Sequence, residues 1–146
     1  MLEPRLLIGK QYQSELCALF ARASASISIV MFAWETPTSG EYKKIFQLND
    51  TLCSARKRGV SVRAIVHFHK TLDFLRHQNI NAKKIHIGGL LHTKMVIIDE
   101  RIVLIGSHNF TERAFTTNAE ASVIIENERS ENAFTRHFHL LWQTTN

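Results

Sequence analysis

The hydrophobic positions of this chain change their spacing along its length, and the spacing predicts the order of helices and strands. Apolar residues three or four apart indicate amphipathic helices, whereas short β-branched or alternating apolar runs indicate strands. In the first half of the chain the two patterns alternate. Strands are predicted at 5–9, 26–34 and 60–68, and helices are predicted at 11–25, 41–58 and around 72–78.

The second half of the chain is richer in strands. A strand near 84–87 is followed by a glycine pair, and further strands are predicted at 92–99, 102–106 and 120–126, before a terminal helix that contains Phe138. A tight turn at 99–101 makes an antiparallel hairpin of the two strands that flank it. We therefore expect an α/β fold, in which a mixed and largely central β-sheet is flanked by helices on both faces.

The composition is that of an ordinary globular protein, with 146 residues of which 45% are hydrophobic and 21% charged. We expect residues 1–146 to form a single domain, because this length supports one core and leaves little room for a second. No apolar run approaches the roughly 20 residues of a membrane-spanning helix, and the first ten residues lack the pattern of a signal peptide. We expect a cytoplasmic protein, with a periplasmic or secreted location as the alternative if a signal peptide has been removed.

Cysteine content and charge add two further expectations. Cys17 and Cys53 lie in predicted helices and are expected to be free thiols, since two cysteines do not make the pattern of a small disulfide-stapled domain. A net charge of +5 and a pI near 9.5 give a modest preference for anionic partners. Several basic residues could line a nucleic-acid groove, although each is also explained as a solvated surface charge: Arg56, Lys57, Arg58, Lys83, Lys84 and Arg113. Trp34 could stack on a base or lie in the core.

Polar residues interrupt the apolar stretch LLHTKMVIIDERIVLIGSHNF at 90–110. Side chains two apart share one face of a strand, so His92 and Lys94 point the same way, at the mouth of a buried face. The hairpin should bring Ser107 near Lys94 and Asn109 near His92, and Glu120 opens the next strand. Burying such groups without partners costs several kcal/mol, so they form either a satisfied polar network or a site. A lone His92 would ordinarily be a hydrogen-bonded strand-end histidine, but its neighbours favour a site.

The spacing of these residues resembles a known signature. His92, Lys94, Asp99, Gly106, Ser107 and Asn109 match the HxKxxxxDxxxxxxGSxN pattern of the phospholipase D superfamily, although His108 is not a residue that this pattern specifies. With one copy of the signature, the chain is similar to the small single-motif nucleases of that superfamily. The resemblance implies a phospholipase D-like fold over most of the chain.

The resemblance also implies roles for individual residues. His92 would attack phosphorus, a second His92 from a partner chain would protonate the leaving group, and Lys94 and Asn109 would bind the phosphate. Ser107 would support the phosphate or Lys94, and Glu120 would hydrogen-bond the other ring nitrogen of His92. Asp99, on the opposite face at the turn, is interpreted as structural, like Gly106. Histidine suits this chemistry because it acts as nucleophile or as acid near neutral pH.

The function we expect is that of a metal-independent endonuclease that cleaves DNA or RNA through a covalent phosphohistidine, as a homodimer and without a cofactor. The alternatives are a lipid hydrolase acting on a substrate such as cardiolipin, and a nucleic-acid-binding module without turnover. A metal site is a further alternative, resting on His67, His69 and His86. We predict none, because no cysteine or acidic residue stands at a convincing ligand spacing from them.

Overall fold

A computed structural model describes residues 3–145, and its elements follow the predicted order closely. The strands are β1 (Arg5–Ile8), β2 (Ser26–Met31), β3 (Ser61–Val66), β4 (Asn81–Lys84), β5 (Lys94–Ile98), β6 (Ile102–Gly106) and β7 (Ala121–Glu126). The helices are α1 (Gln11–Arg22), α2 (Lys43–Lys57), α3 (His69–His77), α4 (Glu112–Thr116) and α5 (Ala133–Thr144). The main displacement concerns β4, which begins before the predicted strand near 84–87.

Helix α4 was not predicted from the sequence. It has five residues, which is too short for a hydrophobic period to appear. Its local signal is Thr111, whose side-chain oxygen accepts a hydrogen bond from the N–H of Ala114 at 3.2 Å, as N-terminal capping residues do. Glu112, in the first turn, complements the positive end of the helix dipole.

The seven strands form one mixed sheet in the order β1-β7-β6-β5-β2-β3-β4. Strands β2, β3 and β4 run parallel, whereas β5, β6, β7 and β1 are joined by antiparallel pairings. Strand β5 is the central strand, and all five of its residues are buried. This position explains why its sequence is apolar on both faces and why a polar residue at its first position stands out.

Helices cover both faces of the sheet, as predicted. On one face, Phe20, Leu48 and Phe115 of three different helices pack against strand residues such as Ile29 and Val96. On the other face, Phe138 of α5 packs against the alternate strand residues, among them Val30 and Ile97. The alternation of side chains along each strand thus supplies two cores from one sheet. Between residues 3 and 145, no helix combines the length and apolar character required to cross a bilayer.

The β5–β6 hairpin fixes the register of the central strands. Asp99 and Glu100 have φ angles of 50° and 61°, as the two central residues of a type I′ turn require. Met95 lies opposite Ile105, and Val96 lies opposite Leu104. If this register continued past Met95, it would place Gly106 opposite Lys94, with Ser107, which is predicted near Lys94, one residue further on.

The Asp99 carboxylate ties this turn to the start of β2. It accepts hydrogen bonds from the backbone N–H groups of Ser24, Ala25 and Ser26, at distances between 2.7 and 3.2 Å. Burial alone would raise the pKa of Asp99, but these hydrogen bonds to the charged form lower it below its ordinary value. Asp99 therefore lies at the end of the sheet opposite His92 and holds two strands together there.

Candidate active site

The candidate site lies where β5 begins and its two neighbours in the sheet end. Met31, the last residue of β2, pairs with Lys94, the first residue of β5. Gly106, the last residue of β6, pairs with Ser122 near the start of β7. Seven polar or aromatic residues lie at this end of the strands, just inside or just outside them: Phe32, His67, His92, Lys94, Ser107, Asn109 and Glu120.

His92 and Lys94 are in direct contact. The Nζ atom of Lys94 lies 3.1 Å from Nδ1 and 3.3 Å from Nε2 of His92. The two side chains differ in exposure, because His92 is exposed whereas Lys94 is only 9% exposed. The imidazole is therefore the accessible member of the pair, and Lys94 is the less accessible one.

Burial changes the acidity of Lys94. Loss of solvation lowers the pKa of its ammonium group below the ordinary value, and the negative charge of Glu120 partly opposes that effect. The ammonium group also faces the ring of Phe32, with Nζ 5.6 Å from the ring centroid. Glu120 and Phe32 therefore both favour the charged form of a lysine that is partly withdrawn from water.

Two aromatic residues outside the signature form the wall of the site. The ring of Phe32 lies 5.0 Å from the ring of His92 and 5.4 Å from the ring of His67. The Nδ1 atom of His67 accepts a hydrogen bond from the N–H of Leu91 at 3.3 Å, which leaves the proton of a neutral ring on Nε2. His67 thereby holds the segment that precedes His92. The aromatic end of the β2 sequence was the only sequence signal for Phe32.

Glu120 and Ser107 form a pair of their own. The Ser107 hydroxyl donates to Oε1 of Glu120 at 2.6 Å, and the amide Nδ2 of Asn118 donates to Oε2 at 3.1 Å. The hydroxyl oxygen of Ser107 also accepts from the N–H of Ala121 at 3.0 Å. The sequence prediction placed Ser107 beside Lys94 and Glu120 on the ring of His92. In the structure, the hydrogen-bonding partners of Glu120 are instead Ser107 and Asn118, and Glu120 acts on Lys94 through its charge.

Asn109 is oriented by the backbone after β2. Its Oδ1 atom accepts a hydrogen bond from the N–H of Ala33 at 3.1 Å. Because the carbonyl end of the amide is engaged in this way, the NH2 end is available to donate to an incoming anion. Asn109 can therefore contribute a neutral donor beside the cationic Lys94.

The glycine of the signature is required by close packing. A Cβ atom on Gly106 would lie 2.6 Å from the carbonyl oxygen of Ala121 and closer still to Ser122. No side chain fits there without moving β7 away from β6. Gly106 thus sets the spacing between two strands that carry site residues.

His108 is buried and structural. Its ring stacks on Tyr12 with the centroids 4.2 Å apart, and its nitrogens lie 2.7 Å from the Ser122 hydroxyl and 2.9 Å from the Gly9 carbonyl oxygen. A carbonyl only accepts, so Nε2 carries the proton, and the neutral ring accepts from Ser122 through Nδ1. Burial lowers the pKa of His108, which favours this neutral form.

The structure corrects part of the predicted nucleic-acid groove. Arg56, Lys57 and Arg58 lie at the end of α2 beside the starts of β2 and β3, at the opposite end of the sheet from His92. The guanidinium group of Arg58 donates to the carbonyl oxygens of Phe20 and Ala23.

Two further residues of that prediction are also engaged elsewhere. Lys83 lies over the ring of Trp142 and donates to its carbonyl oxygen. Trp34 is 5% exposed and donates from Nε1 to Asn49 at 2.8 Å, which favours its place in the core over base stacking. Of the predicted groove, Lys84 and Arg113 remain towards the end of the sheet where His92 lies: Lys84 pairs with Val66 at the end of β3, and Arg113 is exposed on α4.

The histidines considered as metal ligands are engaged separately. His67 bonds to the backbone of Leu91, and the Nε2 atom of His69 lies 3.6 Å from the carboxylate of Asp73. His86 is exposed. Across residues 3–145, no three histidine, cysteine, aspartate or glutamate side chains come together as a metal-binding group. Cys17 and Cys53 are free thiols, as predicted, and burial raises the pKa of each.

A mixed sheet flanked by helices, with the His92–Lys94 pair at the head of its central strand, agrees with the fold that the signature implies. Residues 16–142 match the family model described as "Cardiolipin synthase, PLD-like domain", and the chain therefore belongs to the phospholipase D superfamily.

Proteins with similar sequences include cardiolipin hydrolases and bacterial phospholipases D. Human mitochondrial cardiolipin hydrolase is 26% identical over 144 residues, covering 94% of this chain and 54% of that protein. A phospholipase D of Rickettsia felis is 31% identical over 142 residues, covering 90% of this chain and 71% of that protein. The chain thus spans about half the length of the cardiolipin hydrolases that it matches.

A solved structure matches almost the whole chain. The phospholipase D family member Nuc from Salmonella typhimurium superposes with a TM-score of 0.79 at 23% sequence identity. The match covers 99% of this chain and 97% of that one. At this level of identity the similarity establishes the fold.

Proposed function

We propose that this chain is a metal-independent phosphodiesterase that cleaves nucleic acid through a covalent phosphohistidine on His92. The observation that carries the proposal is the contact between an exposed imidazole and a buried ammonium group at the head of the central strand. The amide of Asn109 follows the adjacent strand β6. This arrangement supplies a nucleophile and two donors for the non-bridging oxygens of a phosphodiester.

The proposed reaction has two displacements. A ring nitrogen of one His92 attacks phosphorus and forms a P–N bond, while the P–O bond to the leaving group breaks and a protonated second His92 gives that oxygen its proton. In the second step, the now neutral second His92 takes a proton from water as the water oxygen attacks phosphorus. The P–N bond then breaks, and both histidines return to their starting states. Lys94 and Asn109 hold the phosphate oxygens throughout.

We propose that the second His92 comes from a partner chain. A two-fold axis would bring the same exposed surface of both chains together, so that each supplies one imidazole to one phosphate. Two other histidines lie elsewhere: His108 is buried between Tyr12 and Ser122, and His69 lies on α3 with its Nε2 atom 3.6 Å from Asp73. Within one chain, His67 lies in the site wall, but its Nδ1 atom accepts a hydrogen bond from Leu91, so its ring is not the doubly protonated acid while that bond is kept.

A nucleic-acid substrate is supported by the net positive charge and by the accessibility of His92 at the surface. A lipid substrate is the second candidate, and two observations favour it. The human relative is named a mitochondrial cardiolipin hydrolase. In addition, Ile87 and Leu90 are exposed on either side of a glycine pair just before His92, where they could contact a membrane surface.

The proposal is tested by incubating the protein in EDTA with single-stranded DNA, duplex DNA, RNA and cardiolipin vesicles. We expect cleavage of nucleic acid that survives chelation and is lost in His92→Ala, with His137→Ala, an exposed histidine on α5, as the matched control. Activity that requires a divalent ion, or full activity in His92→Ala, would overturn the mechanism. Hydrolysis confined to the vesicles would instead establish the lipid candidate.

A further inference from the structure

A pocket of about 420 Å³ opens beside the candidate active site. Its walls come from the segment after β2, from Tyr42 before α2, from the start of α3 and from Thr111 before α4. The volume falls within the roughly 300–1,000 Å³ that is usual for small-molecule sites. None of the roles given above to His92, Lys94 and Asn109 makes use of this pocket.

The walls of the pocket combine exposed aromatic rings with a polar rim. Tyr42 and Phe68 are aromatic residues of the walls, and 42% and 44% of their surfaces are exposed. The rim carries the cation of Lys70 and the carboxylate of Glu35, whose Oε1 atom is fixed by the N–H of Glu112 at 2.7 Å. The buried ring of Trp34 forms the floor and is held by Asn49.

The pocket and the candidate active site share a wall. The ring of Phe68 lines the pocket and lies 5.4 Å from the ring of Phe32, which in turn lies 5.0 Å from the ring of His92. Ala33 also lines the pocket, and its N–H is the group that orients Asn109. A substrate whose phosphate contacts His92 therefore has its neighbouring groups within reach of the pocket.

We propose that this Tyr42–Phe68 pocket binds an unpaired nucleobase next to the scissile phosphate, so that single-stranded nucleic acid is the preferred substrate. The inference rests on the proposed nuclease function. Stacking on aromatic side chains needs a base whose faces are free, which a base within a duplex does not offer. Lys70 is placed to pair with a neighbouring phosphate, and Glu35 can accept from an exocyclic amine.

The polar rim favours a base over an acyl chain. A hydrocarbon chain in the pocket would cover Glu35 and Lys70 without giving either a hydrogen bond, which is costly for charged groups. A nucleotide presents donors, acceptors and a negative charge around an apolar ring and so matches the wall and the rim together. The carboxylate of Glu35 also disfavours a second phosphate deep in the pocket.

The test uses binding by the His92→Ala protein, in which substrate would not be consumed. The ligand is a short single-stranded oligonucleotide labelled with fluorescein, or carrying one 2-aminopurine, whose fluorescence falls when it stacks. Tyr42→Ala should weaken single-strand binding about tenfold, the usual order for one lost stacking contact, and should abolish the 2-aminopurine quenching. Tyr42→Phe should retain both. Phe46→Ala is the matched control, because Phe46 lies on the adjoining helix α2, is 46% exposed against 42% for Tyr42, and does not line this pocket.

The outcomes separate the inference from the proposed function. If the wild-type chain cleaves nucleic acid but Tyr42→Ala binds single strands as tightly as Phe46→Ala does, the pocket inference is wrong and the nuclease proposal stands. If Tyr42→Ala lost affinity equally for duplex and for single strands, the inference would also be overturned. It would be overturned as well if Tyr42→Ala lost affinity for cardiolipin vesicles but not for single strands. If the wild-type chain neither cleaves nor binds nucleic acid, the proposed function itself fails.

Discussion

At the scale of single residues, the candidate site depends on two side chains with opposite exposures. His92 is open to solvent, whereas Lys94 is buried behind it, against Phe32 and in the field of Glu120. A buried cation acts more strongly on a bound phosphate than an exposed one, because less water screens it. Desolvation disfavours the charged form of Lys94, and the negative charge of Glu120 partly offsets this effect.

Replacing Glu120 by glutamine should therefore change the pH dependence of the reaction. Glu120 raises the pKa of Lys94 against the larger effect of burial, so its removal lowers that pKa further. The ammonium group is then lost at a lower pH, so the part of the alkaline fall in rate that comes from Lys94, in addition to loss of the proton from the His92 acid, should begin closer to neutral pH. The rate should also fall at its optimum, because Ser107 and Asn118 lose a charged partner. Steady-state rates measured from about pH 6 to about pH 10 report both effects.

Glu126→Gln, at the far end of β7, is the matched control and should leave the profile unchanged. An alkaline limb that stays in place in Glu120→Gln would contradict the electrostatic role given to Glu120.

The signature predicted which residues would lie close together at the site, but spacing could not show which of them would form hydrogen bonds with each other. His92, Lys94 and Asn109 lie on adjacent strand ends, where the hairpin pattern placed them. The pairing of Ser107 with Glu120 depends on the register and on side-chain rotamers, which a linear pattern does not contain. Phe32 and His67 belong to segments distant from the signature in sequence, so only the assembled sheet brings them in. Asn118 lies two residues before Glu120, but its hydrogen bond to Glu120 depends on local side-chain conformations that spacing does not show.

At the scale of secondary structure elements, the turn between β5 and β6 is what holds the central hairpin in place. Asp99 binds three successive backbone N–H groups at the start of β2, so that one carboxylate fixes both the turn and the neighbouring strand. Hydrogen bonds to an ionised acceptor are stronger than neutral ones. The aspartate of the signature thus acts at the end of the sheet opposite the histidine.

Asp99→Asn should lower the free energy of unfolding by about 1–3 kcal/mol, the usual cost of losing such bonds to a charged group. Asparagine tolerates the positive φ of this position, so the substitution tests the charge rather than the backbone. The hydrogen bonds lower the pKa of Asp99, so its stabilising effect is complete above the unfolded-state pKa of about 3.9. The effect is lost as the pH falls through the folded-state value.

Urea denaturation of both proteins, at neutral pH and in acid, makes this measurement. The difference in stability between wild type and Asp99→Asn should shrink in acid. A difference that is independent of pH, or absent at neutral pH, would show that the carboxylate does not carry the contact.

The order and type of the long elements followed from hydrophobic spacing, because each long element buries a regular stripe. Helix α4 was not predicted from the sequence, because its five residues are held by the Thr111 cap and by Phe115 in the core. The polar sequence of β4, with lysines at 83 and 84, concealed that strand's true start at Asn81. Short or polar elements form through tertiary contacts, and their own sequence carries little of that information.

At the scale of the whole molecule, the sheet separates stability from chemistry along its strands. One end carries the Asp99 anchor and the cations at the end of α2, and the other carries His92, Lys94, Asn109 and the Tyr42–Phe68 pocket. Arg56, Lys57 and Arg58 of the predicted groove lie away from His92, because charge counts do not say at which end of a sheet a helix terminates. The fold class was predictable, since alternating elements followed by a hairpin-rich half allow few topologies.

We propose that two His92 side chains, one from each chain of a dimer, serve a single phosphate. The most direct measurement is the activity of a hybrid dimer, made by refolding together wild-type and His92→Ala chains with different affinity tags and purified through both tags in turn. The hybrid has one of the two histidines and should be nearly inactive. In unfractionated mixtures, activity should then fall as the square of the wild-type fraction, as random pairing requires. A hybrid with half the wild-type activity, or an active species that light scattering shows to be a monomer, would contradict the claim.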